Sequence, residues 1–197
     1  IACEPQPRTA DGEIHDEFAA ELSELLKDWA KLPEVTWQHD WASCQRLLAR
    51  SWMRDGEAFA QMLAGTIPFL DHGTTVPFSL EMMEADLCPL DYNLAPSIVQ
   101  GIELSAWGRP RGYHVYLKPP GELALSLTAA NMKRIPAERM LHIKHVDRIR
   151  QLRGVSLFAS ALTRFDDLKD YEESERIAAK VAASMAAVIK KGLPDDY

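Results

Sequence analysis

Apolar residues recur at helical spacing in two segments near the start of the chain. The first segment follows Asp11, which stands where an N-cap belongs, and ends at Leu32-Pro33. Its apolar positions are Phe18, Leu22, Leu25, Leu26 and Trp29, separated mainly by charged and small residues. This pattern predicts an amphipathic helix from about residue 13 to 31.

A second amphipathic helix is predicted from about Asp40 to Asp55. Trp41, Leu48 and Trp52 mark one face, and Gly56 supplies a stop. Because each helix has one apolar face, each needs a surface to cover it.

After Gly56 the spacing changes to alternation, which is typical of strands. Strands are predicted at residues 57–63, 78–84 and 140–145, and a hairpin reverses at Trp107–Pro110. Pro136-Ala-Glu138 suits the first turn of a short helix. Phe78, Leu80 and Met82 are expected to point inward. Leu141 and Ile143 are expected on one face of the last strand, with His142 and Lys144 on the other.

One long helical pattern runs from Val155 to Lys191. Its predicted stripe is Leu157, Ala161, Phe165, Leu168, Ile177, Val181, Met185 and Val188. About 35 residues at 1.5 Å each would span roughly 50 Å, more than a small domain covers with its own core. The sequence therefore predicts an α+β fold with N-terminal amphipathic helices, a small, mostly antiparallel sheet and one long C-terminal helix. The predicted division is residues 1–154 and residues 155–197, the latter within the same domain or as an appendage.

Charge is unevenly distributed along the chain. The net charge is −7 over 197 residues. Residues 1–100 carry 17 acidic and 6 basic side chains, whereas residues 101–197 carry 12 and 16. An acidic balance argues against a dedicated nucleic-acid binder. A local basic stretch still allows contact with phosphate or with an acidic patch on a neighbouring copy.

Two charged groups are the candidate contact residues. The basic group is Lys133, Arg134, Arg139, Lys144, Arg148, Arg150 and Arg153. The acidic group on the long helix is Asp166, Asp167, Asp170, Glu172, Glu173 and Glu175. A salt-bridged rim, a subunit contact and a phosphate contact remain open for the basic group, since Arg binds carboxylate and phosphate in the same way.

No catalytic or cofactor motif is present in the sequence. It contains no P-loop, no H-E-x-x-H, no C-x-x-C and no G-x-S-x-G pattern. His142 and His145 would point to opposite faces of a strand, which disfavours a shared metal. The three cysteines have no paired spacing and are expected as small buried side chains. No apolar run is long enough to span a membrane.

Four motifs in one order resemble those of lambda-like phage portal proteins. They are G-I-E-L-S-A-W-G-R-P-R-G-Y-H-V (101–115), R-I-P-A-E-R-M-L-H (134–142), R-x-x-Q-x-R-G-V-S (148–156) and D-L-K-D-Y-E (167–172) with Glu175. The order of helix, helix and D-G-E strand upstream is similar too. Arg148-Ile149-Arg150 replaces the more usual R-P-G, so this loop is expected to differ.

The resemblance implies a non-enzymatic subunit of a closed ring, typically dodecameric, at one vertex of the capsid. Double-stranded DNA would pass through the ring, terminase and head-completion proteins would dock on it, and scaffold or capsid proteins would surround it. It implies localisation in the virion, with assembly in the host cytoplasm, and no cofactor. The chain would be the middle of such a subunit, chiefly the wing with the start of the stem.

Two other classes of function remain open from the residues alone. Glu81, Glu84, Asp86 and Asp91 could hold divalent ions in a metal-dependent DNA-processing enzyme. A small α+β binding module is the other alternative.

Overall fold

The computed structural model describes residues 4–119 and 131–184. The chain divides into two compact units, residues 1–157 and 158–197. Helices, antiparallel sheets and a long C-terminal helix confirm the predicted α+β class.

Two helices open the first unit: α1 (Asp16–Trp29) and α2 (Trp41–Asp55). His15 caps α1, since its Nδ1 accepts a hydrogen bond from the amide of Phe18. The carboxylate of Asp40 caps α2 by accepting from the amide of Ser43 at 2.9 Å. Gly56 ends α2 in the left-handed conformation, with φ +84°. The second helix therefore agrees with the prediction at both ends, whereas α1 is shorter than predicted.

Seven strands form two antiparallel sheets. Their bounds are β1 (Glu57–Ala64), β2 (Phe78–Met83), β3 (Ile98–Val99), β4 (Ile102–Leu104), β5 (Pro110–Tyr116), β6 (Met132–Pro136) and β7 (Met140–Lys144). The first sheet has the order β2-β1-β7 and the second β3-β4-β5-β6. The predicted hairpin is β4–β5, and the predicted short helix is a 3-10 turn at Ala137–Arg139. Strand β6 was missed, because its segment M-K-R-I-P contains a proline and two cations.

The core contains side chains from both sheets. Phe59, Met83 and Met140 from the first sheet cluster with side chains of the second and with Cys88. The contributors from the second sheet are Ile102, Tyr113, Val115 and Ile135. A separate aromatic contact joins the helices to the first sheet, where Trp29 packs on Trp41 and Phe78. The two sheets are therefore held against each other by one apolar layer.

On strand β7 a polar side chain points into the fold, while two apolar side chains are partly exposed. Leu141 and Ile143 are each about two-fifths exposed, whereas the side chain of His142 is 6% exposed. The register explains this, because His142 lies opposite the fully buried Phe59. On β2, Leu80 is buried as predicted, but Ser79 and Met83 are buried as well, whereas Phe78 and Met82 are only partly buried.

The second unit contains α3 (Leu162–Ser184). Residues 155–161 are turns or irregular, so the predicted start at Val155 is wrong. Met185, Val188 and the predicted end at Lys191 lie outside the described residues. None of the described residues of α3 is buried. The predicted single stripe is also wrong: Leu168 and Ile177 are nine positions apart, about 2.5 turns, and so point in opposite directions.

Candidate assembly interface

The seven basic residues between 133 and 153 do not form one surface. The ammonium group of Lys133 lies 2.7 Å from Oε1 of Glu81, a residue of β2. Nε of Arg134 donates to Oε2 of Glu103 at 2.6 Å across the second sheet. Both pairs are partly solvated, so each contributes little to stability. These two cations act mainly as local partners of strand carboxylates.

Lys144 is also bonded within its own unit. Its Nζ donates to the backbone carbonyl oxygens of Gln151 and Leu152 at 3.0 and 2.9 Å. Burial lowers the pKa of the Lys144 ammonium, and the neighbouring Glu57 carboxylate opposes that shift. Lys144 therefore holds the segment that follows β7 against the strand.

Arg139, Arg148 and Arg150 are exposed and, unlike the exposed Arg134, have no ion pair recorded among the described residues. Arg150 has φ +64°, the left-handed conformation that favours glycine. This position is where the related motif usually carries Gly in R-P-G. The backbone at this position therefore has the conformation that a glycine favours, although the residue here is Arg150.

Arg153 lies in a buried ion pair with Glu57. The two side chains are 5% and 3% exposed. Nε of Arg153 donates to Oε1 of Glu57 at 2.8 Å, while the amide of Gly154 donates to Oε2 at 2.8 Å. Sequence reasoning grouped Arg153 with surface cations, but the structure places its guanidinium inside the fold.

The remaining donors of Arg153 reach two further segments. Nη1 donates to the carbonyl oxygen of Gln100 at 2.9 Å, and Nη2 to that of Ala85 at 3.3 Å. The guanidinium carbon lies 5.5 Å from the centre of the Phe59 ring, which adds a cation–π contact. One side chain therefore ties the segment leading to α3 to β1 and to two loops.

His142 completes this buried centre from β7. Its Nε2 lies 3.0 Å from Oε2 of Glu57, its ring stacks on Phe59 at 4.3 Å, and Tyr113 Oη is 3.4 Å from Nδ1. Burial lowers the pKa of His142, although Glu57 opposes the shift, so the ring is neutral and donates from Nε2. Burial alone would raise the pKa of Glu57, but hydrogen bonds from His142, Arg153 and Gly154 lower it.

We expect the first unit to lose stability as the pH falls from about 7 to about 5. The folded pKa of His142 lies below its ordinary value of 6.5, so the unfolded chain binds more protons in this range. The contribution is complete above about 6.5 and decreases as the pH falls toward the folded pKa. Urea unfolding midpoints at several pH values measure this slope.

His142→Gln should make that slope shallower, since Gln keeps an N–H donor for Glu57 but does not titrate. His114, whose pKa burial also lowers, contributes with the same sign. An identical slope in wild type and His142→Gln would contradict the expectation.

The acidic group lies along α3, and all six of its side chains are exposed. Glu173 makes an i,i+3 pair with Arg176 at 3.6 Å, the one ion pair recorded within the described part of this helix. These carboxylates are therefore solvated and accessible to a partner.

The four carboxylates of the metal-site alternative are not gathered by the fold. Glu81 pairs with Lys133, and Glu84 lies 3.3 Å from Arg54. Within residues 4–119 and 131–184, no group of three His, Cys, Asp or Glu side chains is placed to hold a metal ion. Among the same residues, no helix is both long and apolar enough to cross a membrane.

Sequence reasoning missed two apolar residues of the first unit that are almost fully exposed. Trp107 at the β4–β5 turn is 92% exposed, and Ile149 beside Arg150 is 96% exposed. Arg109 and Arg111 line the same open cleft as Trp107 and are exposed as well. The signal available in the sequence was Trp107 inside a Gly- and Pro-containing turn, because a turn places its central side chains in solvent.

The comparisons with known proteins agree with the order of motifs. The family model described as phage portal protein, lambda family, matches residues 1–197. No curated protein was found to match the chain. Since the family match covers the entire chain and the fold has the α+β character expected of it, this chain belongs to the lambda family of phage portal proteins.

Proposed function

We propose that this chain is a structural subunit of the portal ring at one capsid vertex, through which double-stranded DNA is packaged and ejected. Terminase and head-completion proteins dock on the ring, and scaffold or capsid proteins surround it. The ring is a dodecamer of identical subunits, assembled in the host cytoplasm and retained in the virion. Membership of the lambda portal family supports this proposal.

The observation that carries the proposal is the exposure of apolar side chains on two opposite faces of α3. Phe165 and Leu168 lie three positions apart on one face, and Ile177 and Val181 lie four apart on the opposite one. Leu168 and Ile177 are 52% and 53% exposed. A subunit of a closed ring has one neighbour on each side, so both faces can be covered.

The exposed charges suit such contacts between subunits. Three arginines without a recorded ion pair are accessible on the first unit: Arg139, Arg148 and Arg150. The six carboxylates of the acidic group are accessible on α3. Lys133, Arg134, Lys144 and Arg153 act inside their own unit instead. We assign each of these two charged groups to contacts with neighbouring subunits, where charges fix register more than affinity.

Charged substitutions on either face of α3 should weaken the ring. For Leu168→Glu and Ile177→Glu, made singly in the intact subunit, we expect rings to dissociate at concentrations at which the wild type stays assembled. Each substitution places a charge where an apolar contact is proposed. Negative-stain microscopy and light scattering measure particle shape and mass.

Lys180→Glu is the control, because it introduces the same side chain at an exposed position of the same helix that lies between the two apolar faces. Unchanged rings in both apolar variants would contradict the role of α3. A wild-type subunit that remains monomeric at high concentration would contradict the ring itself.

A further inference from the structure

A second contact surface lies on the first unit, around the β4–β5 turn. It consists of two apolar side chains among four arginines: Trp107, Ile149, Arg109, Arg111, Arg148 and Arg150. We call it the Trp107 surface. Trp107 and Ile149 are almost fully exposed, although large apolar side chains are ordinarily covered. A tryptophan surrounded by arginines has the composition of a binding hot spot.

The two segments of the Trp107 surface are in contact with each other. A Cβ built on Gly108 would lie 3.0 Å from Nη2 of Arg150, so this guanidinium lies against the β4–β5 turn. The turn is fixed by its own hydrogen bonds, since Gly108 N donates to the Ser105 carbonyl and Arg109 N to the Ser105 hydroxyl. An open cleft of about 380 Å³ lies between Trp107, Arg109 and Arg111. The surface is thus preformed.

The Trp107 surface is positively charged. Across residues 4–119 and 131–184, no ion pair is recorded for any of its four arginines. The acidic neighbours along the chain already have partners: Glu103 bonds Arg134, and Asp147 lies 3.7 Å from His145. An acidic, partly apolar surface would complement it.

We propose that the Trp107 surface binds helix α1 of a second copy of this chain. Helix α1 presents Glu17 and Glu21 one turn apart on an exposed face, without an ion pair in the described structure. Phe18 and Leu25 lie beside them and are 46% and 39% exposed. Carboxylates next to apolar side chains on one helix match arginines next to Trp107 and Ile149.

Helix α1 belongs to the same unit as the Trp107 surface, which makes it a suitable partner in a ring. The inference rests on the proposed function, in which neighbouring subunits are related by rotation about one axis. Rotation leaves the height along the axis unchanged, so the first unit of one copy meets the first unit of the next. Such a contact pairs two different patches, one basic and one acidic.

The two apolar side chains favour a protein partner over double-stranded DNA. The outer surface of a duplex offers phosphates to arginines, but it offers no apolar contact that would remove Trp107 and Ile149 from water. A helix carrying Phe18 and Leu25 does offer one. Binding of duplex DNA to the Trp107 surface is therefore the alternative that the experiment must distinguish.

Charge reversal across the proposed contact tests it. In the intact subunit, Arg109→Glu/Arg111→Glu should raise the concentration needed for half-assembly by roughly 30-fold, the effect of losing one hot spot. Adding Glu17→Arg/Glu21→Arg to the same chain should restore most of the loss. Arg46→Glu, an exposed reversal outside the surface, should leave assembly unchanged. Thermal unfolding of each variant verifies that the fold is intact.

Three results would overturn the inference. The first is that Arg109→Glu/Arg111→Glu assembles at the same concentration as the wild type. The second is that Asp166→Arg/Asp170→Arg restores the assembly of this variant, whereas Glu17→Arg/Glu21→Arg does not. The third is that the Arg109→Glu/Arg111→Glu variant no longer binds a 30-base-pair duplex at low salt, although its rings persist. In each case the wild type still forms rings, so the proposed function survives. A wild type without rings contradicts the proposed function instead.

Discussion

Glu57→Gln should destabilise the first unit by about 3–5 kcal/mol, the usual cost of removing one partner from a buried ion pair. The substitution leaves the guanidinium of Arg153 buried, at 5% exposure, without a compensating charge. It also replaces one carboxylate oxygen with an NH2 group: either Oε1, which accepts from Arg153, or Oε2, which accepts from both His142 and Gly154. Because domain stabilities are about 5–15 kcal/mol, the loss is a large part of the total. Urea unfolding followed by tryptophan fluorescence measures it.

Glu138→Gln is the matched control, since it makes the same chemical change at an exposed position and should alter stability by less than about 0.5 kcal/mol. A double variant with Arg153→Met should lose less than the sum of the two single variants, because the second change removes the stranded charge. A cost below about 1 kcal/mol for Glu57→Gln would show that the ion pair does not hold this segment.

Local patterns were sufficient where a structural cause lies within a few residues. Asp40 at the N-terminus of α2 and Gly56 at its end are both cap signals, and both are used as caps. The β4–β5 hairpin similarly follows from a turn that contains Gly108 and Pro110. These features depend on the backbone preferences of single residues, which the sequence states directly.

Tertiary pairing could not be read in the same way. Glu57 begins a strand directly after Gly56, and nothing near it indicates that Arg153, 96 positions later, is its partner. The same pairing explains β7, where His142 is buried because Glu57 and Tyr113 supply its hydrogen-bond partners. Burial of a polar side chain depends on distant partners, so periodicity alone does not show which face of a strand points inward.

The candidate contact residues were partly predictable for a related reason. Counting cations identified a basic stretch, but four of its seven members bind carboxylate or carbonyl oxygens within their own unit. Trp107 and Ile149 were missed because an exposed apolar side chain in a turn or loop has no periodic signature. On α3, residues were assigned to one stripe although Leu168 and Ile177 lie half a turn out of phase. Angular position, rather than regular recurrence, decides which residues share a face.

The close crossing at Gly56 leads to the second large prediction: Gly56→Ala should destabilise the first unit by about 3–5 kcal/mol. Part of this cost, about 1–2 kcal/mol, comes from the left-handed φ of +84°. The remainder is steric, because a Cβ at Gly56 would lie 2.1 Å from the carbonyl carbon of Val155. The clash involves backbone, so no side chain can rotate away to relieve it. Chemical denaturation measures the loss.

Gly65→Ala separates the two contributions. Gly65 has a similar φ of +76°, yet a Cβ there would meet nothing within 4 Å, so only the conformational cost of about 1–2 kcal/mol is expected. If the two variants are equally stable, the backbone of residues 154–156 does not pack on Gly56 in solution. A larger loss in Gly56→Ala would instead establish that the segment leading to α3 crosses β1 at backbone contact. There Glu57 accepts the amide of Gly154, and His145 N donates to the Gly56 carbonyl. Two adjacent residues then hold residues 154–156 in place, Gly56 through the absence of a side chain and Glu57 through its charge.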